Sequence, residues 1–296
     1  RDHWKKITLI SFLFVAFLGR FEAKMPKRNF ADFHVNYYTG QRMLNHQNVY
    51  DLAQYRKDGM ANFKYPPIFA TITALFALTT EKTAATIWFI VGFILLIIFM
   101  NFSGKLIFTN NLTCKQRNWI YFWSLFLTSR FYMQNFDEGQ VNFLMMTTLL
   151  LGLYALTKKK EWFAALLFGF SILVKYMSAI FIPYFLLKRK FRLIFYIFCT
   201  MVIFSFFPAL IWGWKHNLFL QKQFFPYVCA TSLDMFSLSD SANQSLFSAL
   251  VRLFSDFGSF GVNIVTLSDK GLFIMLLSVP ILLYLFIFPL SRSKGV

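Results

Sequence analysis

Two charged residues, Asp32 and Lys175, frame the chemistry open to this chain. Asp32 lies near the start of a polar stretch, residues 29–67, in a sequence that is otherwise mostly apolar. Lys175 sits inside FSILVKYMSAIF, with apolar residues on both sides. A carboxylate at a membrane surface is suited to accept the proton of a hydroxyl as that hydroxyl attacks. The same aspartate at a helix start also reads as an N-cap, and the two roles are compatible. An ionisable residue in an apolar run is a functional candidate by default. Lys175 is placed to neutralise the phosphate of a lipid-linked substrate, or else to snorkel to the interface. Arg130 and Lys64 fall on the same side of the chain's expected topology and are further candidates for that phosphate. Asp51 reads as a cap or turn acid. Gln140 and Asn142 lie at the polar edge of an apolar run and must find partners there.

The elements that position these groups follow from composition. The chain is 57% hydrophobic and 21% aromatic, and only 15% charged. One soluble core cannot hide so much apolar surface, so an all-α polytopic integral membrane protein is expected. The net charge of +17 does not indicate nucleic acid. Its lysines and arginines cluster at the ends of apolar runs, at Lys5 and Lys6, at 158–160 and at 188–192, as membrane orientation and lipid headgroups require. Cys114, Cys199 and Cys229 have no metal-type spacing, and His34, His46 and His216 do not form a metal set. Neither a metal nor a cofactor is expected.

The basic start argues for a cytoplasmic N-terminus and a first span over 7–19. That puts an outer loop at 22–67. Within it, Phe33, Tyr37, Gly40 and Leu44 recur at helical spacing and predict an interfacial helix. Pro66 and Pro67 mark a rigid entry into a short re-entrant or interfacial helix over 68–80. Spans are then expected over 83–101, 118–129 and 141–157, with an outer loop at 130–140. Two half-length helices follow over 161–187, broken near Lys175. A further span over 193–212 leads to a second outer loop, 213–268. There Leu246, Leu250, Leu253 and Phe257 suit a helix lying in the interface. A last span covers about 271–290. The sum is roughly eight spans in a single transmembrane domain over 1–296, in the cell membrane. Beginning at Arg1 rather than Met, the chain reads as a fragment.

Six segments in order carry a resemblance: DFHVNYYTGQRML, VYD, FKYPPIFA, GQVN, GFSILVKYMSAIFIPYFLLKRKFR and NQSLFSALVRL. Together they resemble the polytopic glycosyltransferases of family 87, relatives of mannosyl- and arabinofuranosyltransferases of cell-envelope assembly. The resemblance covers about residues 30–255. It implies a GT-C-like bundle and transfer of a hexose or pentose, with inversion, from a polyprenyl-phosphate donor to a glycolipid or glycan hydroxyl. Carried onto this chain, it makes Asp32 the loop acid and general base. Tyr65 with Pro66 and Pro67 becomes the corner after that loop, and Gly139, Gln140 and Asn142 the motif opening a later span. Lys175 becomes the family lysine, although Tyr176-Met177-Ser178 stands where a proline usually follows. Tyr37, Tyr38 and Tyr65 are then candidates to stack on sugar rings. Asp51, Gln140, Asn142, Asn243 and Gln244 complete the expected substrate contacts. Because members are usually longer, the resemblance also points to further C-terminal spans. The alternative is a lipid or sugar transporter or flippase without covalent chemistry. It predicts buried charges in several spans, and only Lys175 offers one.

Overall fold

The computed structural model describes residues 31–58, 60–108, 112–232, 245–256 and 263–290, with Val15, Leu18 and Gly19. The expected first span lies almost entirely outside these residues. Every regular element among the described residues is helical. The chain divides into two compact units, one up to Phe224 and one from Phe225.

The first unit opens with α1 (Ala31–Leu44) and the short α2 (Leu52–Lys57). Asp32 lies within the first turn of α1, where a carboxylate meets the positive end of the helix dipole. The loop after α1 is clamped to it. Tyr55 is fully buried, its hydroxyl donates to the Val49 carbonyl at 3.0 Å, and it also bonds the Thr39 hydroxyl at 2.7 Å. Arg42 lies over the Tyr55 ring and pairs with Asp58 at 2.8 Å.

Next comes α3 (Pro67–Phe76), which starts where its fixed proline φ costs nothing. Its ten residues reach about 15 Å, half the hydrocarbon thickness. It packs chiefly along α1. The approach is so close that a Cβ at Gly40 would collide with the Thr73 carbonyl. Gly40→Ala is therefore expected to destabilise the protein by about 1–3 kcal/mol through overpacking. A lowered thermal midpoint in detergent checks this, and an unchanged midpoint contradicts it.

The helix α4 (Glu81–Ile107) is capped by Thr80 and runs 27 residues, about 40 Å, enough to cross a bilayer. After it, α5 (Cys114–Glu138) opens with a capping box between Thr113 and Gln116. This helix departs from expectation. Residues 130–138, read as outer loop from their polarity, continue it for more than two turns. Polarity alone does not break a helix; the segment holds no glycine or proline until Gly139, which ends α5 with φ 63°.

Four further elements follow by tight turns: α6 (Asn142–Thr157), α7 (Glu161–Val174), a 3-10 turn (Tyr176–Ile180) with α8 (Phe181–Leu187), and α9 (Phe191–Phe206). The basic turns at 158–160 and 188–190 share one closure. Lys160 N–H donates to the Ala155 carbonyl and Lys190 N–H to the Phe185 carbonyl, with Lys159 and Arg189 in left-handed conformation. The Arg192 guanidinium lies 3.9 Å from the Glu161 carboxylate, so both turns sit at one end of these helices. Between them Phe168, Phe185, Leu193 and Ile197 form a dry core, with the Phe168 and Phe185 rings edge to face at 5.0 Å. The short α10 (Ala209–Trp212) follows, and then α11 (Trp214–Ser232), which begins in the first unit and continues past Phe224 into the second. The Trp212 indole donates to the Thr71 hydroxyl at 3.1 Å, tying α10 to α3.

By length and composition, two stretches among the described residues are apolar enough to cross a membrane: Glu81–Ile107 and Phe191–Trp212. At 16 and 14 residues, α6 and α7 reach only about 24 and 21 Å.

In the second unit, α12 (Leu246–Phe254) is capped by the Ser245 hydroxyl. Its Val251 packs on Leu272 and Leu276 of α13 (Asp269–Leu290).

Candidate functional site

A site forms where α1, the α5–α6 turn and the break after α7 meet. The turn is built first. Gly139 takes the left-handed conformation, and Gln140 N–H closes back on the Asn135 carbonyl at 3.0 Å. The Trp88 indole of α4 donates to the Gly139 carbonyl at 2.9 Å and fixes the turn from the other side. Gln140 and Asn142 therefore project from a held backbone.

The break is held as firmly. Lys175 leaves the helical conformation for an extended one, φ −153° and ψ 114°. Across it, the buried Ser171 and Ser178 hydroxyls bond at 2.7 Å, and Ser171 also donates to the Met145 carbonyl of α6 at 3.0 Å. Serine side chains thus tie the two sides of the break to each other and to α6. The expected interruption is present without a following proline.

These two supports bring four side chains into line. Lys175 Nζ donates to Asn142 Oδ1 at 2.6 Å. Asn142 Nδ2 donates to Gln140 Oε1 at 2.6 Å. Gln140 in turn offers its amide hydrogens to the Asp32 carboxylate. An ammonium only donates and an ionised carboxylate only accepts, so each amide has one consistent orientation between them. The result is a directed chain from cation to anion across α7, α6 and α1.

The carboxylate is half-buried. Burial pushes the Asp32 pKa above its ordinary value, against the opposing pull of the Lys175 charge and the Gln140 hydrogen bond. Tyr65 feels the same centre, for burial and the Asp32 charge both push its phenol upward. It stays protonated and remains a donor. The first turn of α1 is further anchored by His34, whose Nδ1 lies 2.5 Å from the Glu81 carboxylate at the start of α4.

The remaining expected residues are disposed differently. Asp51 caps α2, its carboxylate accepting from the Ala53 and Gln54 N–H groups at 3.0 and 3.2 Å. Tyr37 is buried and donates to the Thr79 carbonyl at 2.8 Å, and its ring meets Tyr38 edge-on at 5.6 Å. Lys64 is exposed beside Tyr65. Arg130 is exposed on α5, eight residues before that helix ends, about 12 Å along its axis from Glu138. The structure thus brings Asp32, Gln140, Asn142, Lys175 and Tyr65 together and does not place Arg130 among them. Asn243 and Gln244 lie outside the described residues. The positioning contacts Arg42–Asp58, His34–Glu81 and Ser171–Ser178 were not found in the sequence. Each joins ordinary polar residues that only the fold makes neighbours.

Comparison with known proteins gives the helical architecture a chemistry. No curated protein and no solved structure matches the chain. The description of glycosyltransferase family 87 matches residues 63–294. That range contains Tyr65, Gln140, Asn142 and Lys175, and it begins after α1 and Asp32. Members are membrane proteins that transfer sugars. With most of its length matched, the chain belongs to glycosyltransferase family 87.

Proposed function

We propose that this glycosyltransferase moves a hexose or pentose from a polyprenyl-phosphate donor to a hydroxyl of an envelope glycolipid or glycan, with inversion. The observation that carries the reading is the hydrogen-bonded chain from Lys175 through Asn142 and Gln140 to Asp32. It links a cation and a carboxylate that interact electrostatically in one site. In the reaction Asp32 takes the proton of the acceptor hydroxyl, whose oxygen forms a bond to the anomeric carbon. The bond from that carbon to the phosphate oxygen breaks on the opposite face. The electron pair leaves on the lipid phosphate, which goes from one negative charge to two. Lys175 meets that second charge. The Asn142 and Gln140 amides orient the two groups, and Tyr65 bounds the sugar. Lys64 is a second candidate for the phosphate.

The scaffold in this reading is a GT-C-like bundle of roughly eight spans, with the N-terminus cytoplasmic and the site extracytoplasmic. The reading requires a groove beside the half-length helices about Lys175 that is open to lipid, where a polyprenyl tail can remain. Transport without covalent change is not favoured by family membership. Proteoliposomes loaded with radiolabelled polyprenyl-phosphate sugar test the choice. Label appearing on the acceptor is expected; label that crosses the bilayer still attached to its lipid overturns the reading.

The pH dependence follows from the Asp32 shift. The base works only when ionised, so kcat/KM is expected to rise with pH through a pKa above the usual carboxylate range. Lys175→Gln removes a charge that lowers this pKa, so the acid limb moves to still higher pH. Stability runs the other way. A raised folded-state pKa stabilises the protonated protein below the ordinary carboxylate pKa, and that contribution is lost as pH climbs through the raised value. A limb at the ordinary position, unmoved by Lys175→Gln, contradicts this.

A further inference from the structure

The two basic turns that flank the hairpin of α7 and α8 carry cations where the backbone favours glycine. α6 ends and α7 begins at the first turn; α8 ends and α9 begins at the second. Each closes through a left-handed residue, Lys159 at φ 57° and Arg189 at φ 54°. Glycine takes this conformation without strain, and helices commonly end on it. Gly139 does so at the end of α5. In the basic turns a long cation stands at the strained position, twice. The helix dipole draws cations to such ends. Lys158 and Lys188 already supply them, with their ammonium groups over the Tyr154 and Tyr184 rings at 5.4 and 5.8 Å. The side chains of Lys159, Lys160, Arg189 and Lys190 are exposed and have no partner among the described residues.

The charge is also concentrated. Arg192 lies 3.9 Å from Glu161, so the two turns are neighbours. Three cations at 158–160 and four at 188–192 stand against that one acid. Their mutual repulsion is relieved when an outside anion sits among them. The residues beside each turn point to lipid as the source of that anion. Trp162 is 66% exposed just after the first turn, and Phe191 is 63% exposed within the second. An exposed tryptophan beside lysines belongs at the level of the lipid headgroups. We infer that the paired turns are a docking surface for anionic phospholipid of the bilayer, with Lys159, Lys160, Arg189 and Lys190 on the headgroup phosphates. Basic clusters beside membrane helices draw acidic headgroups in this way. The length of α7 sets the surface about 21 Å from Lys175, so the lipid held there is distinct from the sugar donor. Its binding stands apart from the catalytic reading. Because it grips both feet of the folded hairpin, it stabilises the folded protein.

The test uses the full chain in nanodiscs of phosphatidylcholine alone, or of an equal mixture with phosphatidylglycerol, and reads the thermal midpoint. The wild type is expected to melt roughly 5–10 °C higher in the anionic discs, since several cations gain from the headgroups. The gain shrinks in molar salt, which screens exposed charge. Lys159→Gly with Arg189→Gly relaxes both left-handed residues. That variant is expected to melt at or above the wild type in neutral discs, yet to gain less from phosphatidylglycerol. Lys159→Gln, Lys160→Gln, Arg189→Gln and Lys190→Gln together remove most of the gain. The gain is a difference between two lipids for one protein, so a variant that is merely less stable does not imitate the result. A gain equal to the wild type's in both variants overturns the inference, as does a wild type that melts alike in the two lipids. Inorganic phosphate that raises the midpoint in neutral discs as far as phosphatidylglycerol does also overturns it, for the turns then take a free anion.

Discussion

Asp32→Asn is expected to lower the rate of sugar transfer by about 10²–10⁴-fold, the usual worth of a positioned general base. The substitution keeps the size of the side chain, and its amide oxygen still accepts from Gln140. What it loses is the ability to take a proton. Donor binding depends on Lys175 and should change little, so the loss belongs in the single-turnover rate rather than in donor affinity. Stability should not fall, because the variant no longer holds a partly buried carboxylate whose charge the fold disfavours. An assay of single turnover beside a thermal midpoint distinguishes this from unfolding. A variant that transfers at the wild-type rate excludes Asp32 as the base.

Lys175→Gln is expected to cost about 10²–10³-fold in transfer, the scale of removing one preorganised group from a site of developing charge. A sugar phosphodiester carries one negative charge, and the departing polyprenyl phosphate carries two. The lysine therefore matters more to the leaving group than to the donor. Inhibition by free polyprenyl phosphate should weaken more than the donor KM rises. Equal changes in the two would make Lys175 a ground-state contact only. The variant also leaves the Asn142 carbonyl without its present donor, so Asn142→Ala is a useful companion. It retains the cation but frees it from its orienting amide, and it should give a smaller loss than Lys175→Gln.

Much of this arrangement could be read from local pattern. The break at Lys175 was visible because one lysine interrupts an apolar run, and its cost to the span is independent of the rest of the fold. The corner at Pro66 and Pro67 was visible because proline fixes φ wherever it stands. Asp51 as a cap follows from its own neighbours. The length of α5 was misread for the converse reason. Its polar residues 130–138 looked like loop, yet what ends a helix is the backbone conformation that Gly139 permits. The need of Gln140 and Asn142 for partners was legible, but not which partners. Asn142 meets a lysine 33 residues away, and that meeting depends on α6 and α7 packing together. The clamp of Arg42, Tyr55 and Asp58 gives no sequence signal, because each residue alone is unremarkable on a polar loop. Asn36 carries no sign of burial in the sequence; the packing of α3 across Gly40 is what buries it.

The central claim is one of geometry, a carboxylate and an ammonium on two sides of the reacting bond. It is tested most directly by a structure of the full chain with a polyprenyl phosphonate analogue of the sugar donor bound. The account predicts phosphonate oxygens within hydrogen-bonding distance of Lys175 Nζ, with the anomeric carbon presenting its opposite face to Asp32. A phosphonate seated at the basic turns of residues 158–160 and 188–190, or Asp32 on the phosphonate side of the sugar, would contradict it.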